Sequence, residues 1–530
     1  MKTFTRKAVS LAAAFTMAMG VTPANAGAER EVLGYMGDVN HDMNVNLADV
    51  VTLANHLVGN QSLETDCFFN ADLDSDGRVD AFDLTLLRQY IMGIRPVEPI
   101  YGEEIETTTT TTTTVTTTTT TQETTTTTAS ADFITPPAKD VKAFLPSQNN
   151  ANLVIFYVDF PDCKYDYAPT ESQIEEIAFG PEDTTDKNYP FDSMSAFYGR
   201  SSKGAMDLQG KVFRYTTKND QSYYNENKFL ITKECYEAFN DSVDFSQFDG
   251  DGDGYIDATL FTVPTKAGDD HWWPCAGPVD QDSYYIDGKR VGHIITGNAQ
   301  IESLSDYKNF NSTYLHEMGH CMGLPDYYLF TSSDSEGMHG TAGLELMDTD
   351  ASSDFGAVSK LQLGWYTESQ IQIYDSNAGT QTFKLSNAQK DGSNCVIIPY
   401  GDLNNYHSEY FIIEYTTTDG NNSSPNWWVK SGNGIRVYHA DTTLKNYGWW
   451  TGYRYASGAE DTNKDTGRRY LRVIDDTETD NLYRTGSVID GNISGFHWYD
   501  QNGGQTVDTG LQITVGELTG DEYTITISKK

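Results

Sequence analysis

From Thr107 to Thr128 every residue is threonine except Val115, Gln122 and Glu123. Such a tract has too little apolar surface to offset the entropy of ordering its backbone, so it reads as a linker. It divides the 530-residue chain into parts that must each bury their own core. The spacing predicts a short module at 27–100, a linker at 101–131, and two further domains at 132–365 and 366–530. Ahead of these, Lys2, Arg6 and Lys7, the apolar run from Ala8 to Val21 and Ala24-Asn25-Ala26 form the three-part pattern of a signal peptide over 1–26. The expectation is therefore a secreted, extracellular protein without a membrane span.

A formal net charge of −40 argues against nucleic acid and anionic membranes as partners, since both would repel the surface. Six cysteines in this length do not make a disulfide framework. Many of the carboxylates fall in spaced clusters rather than runs, which suggests metal loops.

Two of these clusters repeat, with Asp72 standing 34 residues after Asp38. The first loop offers Asp38, Asn40, Asp42, Asn46 and Asp49. The second offers Asp72, Asp74, Asp76, Asp80 and Asp83, with Gly77 at the sixth position. Oxygen donors at positions 1, 3, 5, 9 and 12 suit calcium, which takes six to eight hard ligands around a tight turn. Met43 holds the glycine place of the first loop, which favours the second site over the first. Helices are expected over Val50 to Val58 and Leu84 to Met92, ending at Gly59 and Gly93. These residues resemble the dockerin family, which implies a cohesin module of a scaffold protein as partner and a place in a cell-associated multi-enzyme complex, the cellulosome.

His316-Glu317-Met318-Gly319-His320 is the chemical motif. On a helix His316 and His320 share one face, so both imidazoles can reach one tetrahedral metal while Glu317 projects beside them. Paired histidines on a plain surface helix are the bland alternative. Gly323 can end the helix and turn the chain, bringing Asp326 round as third ligand, with Glu345 or His339 next in line. The resulting form, H-E-x-x-H-x-x-G-x-x-D, puts a carboxylate where metzincins carry a third histidine. Leu346-Met347-Asp348 can supply the methionine turn beneath such a site, although a lone Met is as often plain core. Cys321 lies about 140° round the helix from His316, off the metal face, and reads as a buried thiol or a disulfide partner. Tyr327, Tyr328 and His339 are the nearby oxyanion-donor candidates, each more often a packing or surface residue.

These segments resemble the immune inhibitor A-like metallopeptidases. The similarity runs through Val158-Asp159-Phe160, Met194-Ser195-Ala196-Phe197-Tyr198, the run from His316 to Tyr327, Lys360-Leu361-Gln362-Leu363-Gly364-Trp365 and Val437-Tyr438-His439-Ala440-Asp441. It implies an α/β zincin-like, metzincin-like catalytic domain with one catalytic zinc on His316, His320 and Asp326, Glu317 as general base, and endopeptidase activity on protein or peptide substrates. A catalytically silent or carbohydrate-binding component of the same complex is the rival expectation, for which Trp272-Trp273, Trp427-Trp428 and Trp449-Trp450 are the candidate sugar platform.

A third acidic loop, Asp249, Asp251, Asp253 and Asp257 with Gly254 at position 6, again suits calcium, here inside the catalytic region. An opening strand is expected near Asn152. Short runs at Gln370 to Tyr374, Thr382 to Leu385, Cys395 to Pro399, Tyr410 to Tyr415, Gly434 to Tyr438 and Gln512 to Ile527 point to a β-rich C-terminal domain, read as a sandwich. The whole is thus a multidomain chain: a small α-helical module with calcium loops, a linker, an α/β domain and a β-rich domain.

Overall fold

A computed structural model describes residues 32–35, 38–40, 45–57, 70–71, 73, 79, 87, 99–101, 127–128 and 144–530, excluding 226, 267–270, 279–283, 329–339, 351–352, 402–405, 424–431, 447–452, 456, 458–467, 475–481 and 501–502. The chain forms two compact units, Met1–Thr119 and Thr120–Lys530. The expected leader at 1–26, the second acidic loop (Asp72, Asp74, Asp76, Asp80, Asp83), Asp42 and Met43 lie outside the described residues.

In the first unit, β1 (Val32–Tyr35) pairs antiparallel with β2 (Pro99–Tyr101), so the module closes on itself at its two ends. Between them α1 spans Leu47–Leu57, starting three residues before the expected Val50. That earlier start has a local cause. Asn46 lies just ahead of the helix, and its side-chain oxygen accepts the Ala48 amide at 2.8 Å, which satisfies one of the orphan donors at a helix N-terminus. The core joins Val39 to Leu73 and Leu53 to Leu87, with Val45 and Val79 against them. Each of these pairs is separated by the same 34-residue offset as the loops. The repeat is therefore a packing repeat: two halves bury equivalent side chains against each other, which neither could bury alone.

In the second unit, the last residues of the threonine tract form β3 (Thr127–Thr128). The expected linker through 131 thus ends in an edge strand, consistent with the β preference of branched threonine. There follow β4 (Asn149–Asp159), α2 (Glu171–Phe179), α3 (Met194–Ser201), β5 (Met206–Thr216), α4 (Phe229–Phe239), β6 (Tyr255–Thr262), β7 (Cys275–Pro278), β8 (Tyr285–Ile286), β9 (Lys289–Gly297), α5 (Lys308–Cys321) and α6 (Ala357–Gln362). The first sheet has the order β5-β4-β6-β9-β7, with β8 also on β9. Its four strands from β5 to β9 are parallel, and β7 and β8 are antiparallel. On β4, Leu153, Ile155 and Tyr157 enter the core that also holds Leu315 and Met318 of α5. Val154, Phe156 and Val158 face the opposite way, into a second core with Ile231 and Tyr236 of α4. Burial on both faces is why this strand reads as an unbroken apolar run.

Then come β10 (Ile371–Ile373), β11 (Gln381–Ser386), β12 (Cys395–Pro399), β13 (Glu409–Thr416), β14 (Gly434–Asp441), β15 (Leu444–Asn446), β16 (Tyr453–Tyr455), β17 (Leu471–Val473), β18 (Val488–Asp490), β19 (His497–Tyr499), β20 (Gln505–Asp508), β21 (Leu511–Thr519) and β22 (Glu522–Lys529). A six-stranded sheet, β17-β14-β13-β12-β10-β3, lies against a four-stranded one, β11-β22-β21-β18. Val396, Ile398, Phe411, Ile413 and Val437 on one face meet Ile513, Ile525 and Ile527, giving the expected two-sheet packing.

The other face of the six-stranded sheet is also buried. Cys395, Ile397, Tyr410, Ile412, Tyr438 and Ala440 share the core of α5 and α6. The expected boundary at 365/366 therefore falls inside one compact unit.

Candidate metal centre

Helix α5 carries His316, Glu317 and His320 along one side while Phe310, Tyr314, Leu315, Met318 and Cys321 sit in the core. Cys321 is wholly buried, as its angular position implied. Asn311 fastens the start of the helix by donating to the Ile177 and Phe191 carbonyls at 3.0 and 2.9 Å. At the far end Gly323 has φ of +95°, a left-handed turn that suits glycine. The Leu324 amide then reaches the Gly319 carbonyl and the Gly323 amide the His320 carbonyl, at 3.1 and 2.9 Å, the paired bonds of a Schellman C-cap. This turn reverses the chain and delivers Asp326 beneath the two histidines.

His316 Nε2 and His320 Nε2 lie 3.0 and 3.3 Å from the same oxygen, Oδ1 of Asp326. One potential ligand atom from each residue falls within 4.8 Å of the other two. A tetrahedral ion with zinc–nitrogen and zinc–oxygen bonds of 2.0–2.2 Å separates its ligands by about 3.3 Å, so the spacing fits.

The ring orientations are set from behind. His316 Nδ1 faces the Leu346 carbonyl and His320 Nδ1 the Leu324 carbonyl, both at 2.8 Å. A carbonyl only accepts, so each Nδ1 donates, and in a neutral ring each Nε2 is left as an acceptor. Three acceptors then converge on one point, which only protons or a cation can satisfy. Burial opposes charge on His316, yet Asp326 and Glu317 outweigh it and raise its pKa to about 10. The same pairing holds Asp326 below the usual carboxylate range against the pull of its own burial.

Glu317 is almost fully buried beside the cluster. Its burial raises its pKa, and the neighbouring His316 and His320 pull it back.

Met347 lies under the helix. A Cβ built on Gly319 would come within 2.3 Å of Met347 Sδ, so the glycine admits the methionine. The turn that carries Met347 is held by two buried carboxylates. Glu345 accepts the Met347 amide at 2.5 Å and the Gly356 amide at 3.2 Å, and Ser359 Oγ also bonds it. Asp348 accepts the Thr341 amide at 2.6 Å and the Gly343 amide at 3.1 Å. Glu345 is thereby committed to the turn and stands apart from the ligand cluster. Burial lifts its pKa to about 8.

Of the other residues singled out in the sequence, Tyr327 is wholly buried with its hydroxyl against Ser359 at 2.8 Å, a packing role. Tyr328 instead donates to Asp326 Oδ2 at 2.9 Å. Nothing in the sequence marked that bond, because two adjacent tyrosines give no sign of which one turns to the metal side. His339 lies outside the described residues. Trp272 is buried and Trp273 exposed, so that pair does not form one platform; Trp427-Trp428 and Trp449-Trp450 lie outside the described residues.

The third acidic loop gathers Asp249, Asp251 and Asp257, again with potential ligand atoms within 4.8 Å. Asp249 accepts the Gly254 amide at 3.1 Å and Asp257 the Asn152 amide at 2.8 Å, which folds the loop tightly. Burial raises the Asp257 pKa to about 7, and the neighbouring Asp251 carboxylate adds to the rise. Lys289 Nζ lies 2.5 Å from Asp249 Oδ2 at the other side of the loop. The structure does not bring Asp253 into the three-residue group; its Oδ1 accepts the Tyr255 amide at 2.8 Å. In the first unit Asp38 and Asp49 are buried, and Asp49 accepts the Asn40 and Asn46 amides at 3.1 and 2.8 Å.

The first unit is a docking module built on a duplicated loop. Residues 36–92 match the model of the dockerin type I domain, and the chain carries that domain. Such a domain implies bound calcium, a cohesin partner and an extracellular assembly of the cellulosome type. No curated protein matches the chain. Among solved structures, that of wild-type OgpA from Akkermansia muciniphila is similar at 15% identity over 57% of this chain and 87% of that one, with a TM-score of 0.24. So low a score carries no argument for the second unit. Among the described residues no helix is long and apolar enough to cross a membrane.

The contact between Gly319 and Met347 yields a test. Gly319→Ala should cost about 1–3 kcal/mol through overpacking, although alanine is the better helix former. The cost should shrink when Met347→Ala makes room. Denaturant melts of the two single variants and the double variant measure this, and additive losses would show that the two sites do not touch.

Proposed function

We propose that the second unit is a zinc-dependent endopeptidase of the immune inhibitor A-like kind, carried by the dockerin to a cohesin-bearing scaffold. The convergence of His316 Nε2, His320 Nε2 and Asp326 Oδ1 on one point, with Glu317 beside it, carries this reading. His316, His320 and Asp326 would hold the zinc ion, which would supply an activated water and polarisation of the scissile carbonyl. Glu317 accepts the proton of the attacking water and passes it to the leaving amine. Its burial raises its pKa above the ordinary carboxylate value, the direction that suits a group which must accept a proton and then give it up.

Strand β7 supports a peptide as substrate. It is the antiparallel edge of the first sheet and packs against α5. An extended peptide can add to such an edge through its backbone, largely independent of its side chains, and so lie along the metal helix.

Glu317→Gln keeps the shape of the site and loses the base. Zinc should remain near one per chain while casein hydrolysis falls by roughly 10²–10⁴-fold; undiminished turnover would overturn the reading. For the dockerin, retention on cohesin resin should be lost when calcium is chelated, and equal retention in chelator would contradict it.

The loop of Asp249, Asp251 and Asp257 is proposed as a structural calcium site of the second unit. An ion that binds only the folded form raises its melting temperature by mass action. Saturating calcium should therefore raise the melting temperature of the second unit in wild type and raise it less in Asp251→Ala. Identical shifts in the two proteins would count against the site.

A further inference from the structure

We infer that Tyr328 is a positioning residue which holds Asp326 to one-oxygen ligation and so keeps the metal's fourth position open. The inference rests on the zinc reading above and deepens it. The two oxygens of Asp326 have separate partners. Oδ1 is the atom shared by His316 and His320, at 3.0 and 3.3 Å. Oδ2 accepts the Tyr328 hydroxyl at 2.9 Å.

A carboxylate can bind a metal through one oxygen or both. With two histidines already in place, two-oxygen binding would take the position that a hydrolytic water needs. A hydrogen bond on Oδ2 opposes that shift, because it holds the oxygen towards Tyr328 and draws on the charge a second metal bond would use. Asp326 has little other means of restraint. Its side chain is about nine-tenths buried, and the bonds to its carboxylate come from the histidines and Tyr328. Tyr327, next in the chain, cannot substitute, since its hydroxyl is committed to Ser359. Tyr328 is only partly buried, so its removal leaves no large cavity.

Cobalt(II) in place of zinc reports coordination directly, because four-coordinate cobalt absorbs visible light far more strongly than five- or six-coordinate cobalt. Wild type should give the strong four-coordinate band. Tyr328→Phe should still bind one cobalt per chain but show a weaker band, and with zinc its kcat should fall about 10–100-fold at nearly unchanged KM, the usual scale for a lost partner of a ligand. Melting of the metal-free proteins separates this from a structural role: the two should melt together. A band and kcat in Tyr328→Phe equal to wild type would overturn the inference alone, as would a metal-free variant already destabilised enough to explain the loss. A wild-type chain that takes up neither cobalt nor zinc would overturn the zinc reading with it.

Discussion

Two imidazole nitrogens and one carboxylate oxygen point at the same place, and much of the second unit is arranged to keep them there. His316 Nε2 and His320 Nε2 stand 3.0 and 3.3 Å from Asp326 Oδ1, and with both rings neutral these three acceptors repel. They are forced together by backbone carbonyls that hold the imidazoles from behind and by a glycine turn that brings the aspartate underneath. So ordered a cluster needs positive charge among its three atoms, from protons or from a metal ion.

The supports extend well beyond the motif. Leu346, whose carbonyl fixes His316, belongs to a turn pinned by Glu345 and Asp348. Glu345 in turn is bonded by Ser359 and Gly356, at the start of α6. That helix rests on the six-stranded sheet, whose far face closes the core of the sandwich. The β-rich half thus shares one core with the helix that carries the candidate site. The dockerin is a separate compact unit with its own duplicated core, as a chain needs if one end is to stay docked while the other works.

Much of the site was legible because its geometry is local. Histidines four apart on a helix, a glycine three residues after the second and an aspartate three beyond that are joined by backbone rules, and the structure brings them together. The offset of 34 residues likewise announced the dockerin's paired core. What sequence could not supply were partners distant along the chain: Met347 against Gly319, Leu346 behind His316, Tyr328 rather than Tyr327 turned to Asp326. The boundary expected at 365/366 falls within the compact unit Thr120–Lys530. The strands at Cys395–Pro399 and Glu409–Thr416 are buried on both faces, one in the sandwich and one in the core of α5 and α6, a partnership distant along the chain.

The central claim is that a metal ion sits among His316, His320 and Asp326. X-ray absorption at the zinc edge of the full-length protein, purified without added chelator and loaded with one equivalent of zinc, tests it most directly. The account predicts a four-coordinate ion with two imidazole nitrogens and two oxygens at about 2.0–2.2 Å, one oxygen from Asp326 and one from water. Loss of one imidazole from the spectrum of His320→Ala would tie the signal to this site. A spectrum without imidazole scattering, or a wild-type protein that leaves the zinc free in solution, would contradict it.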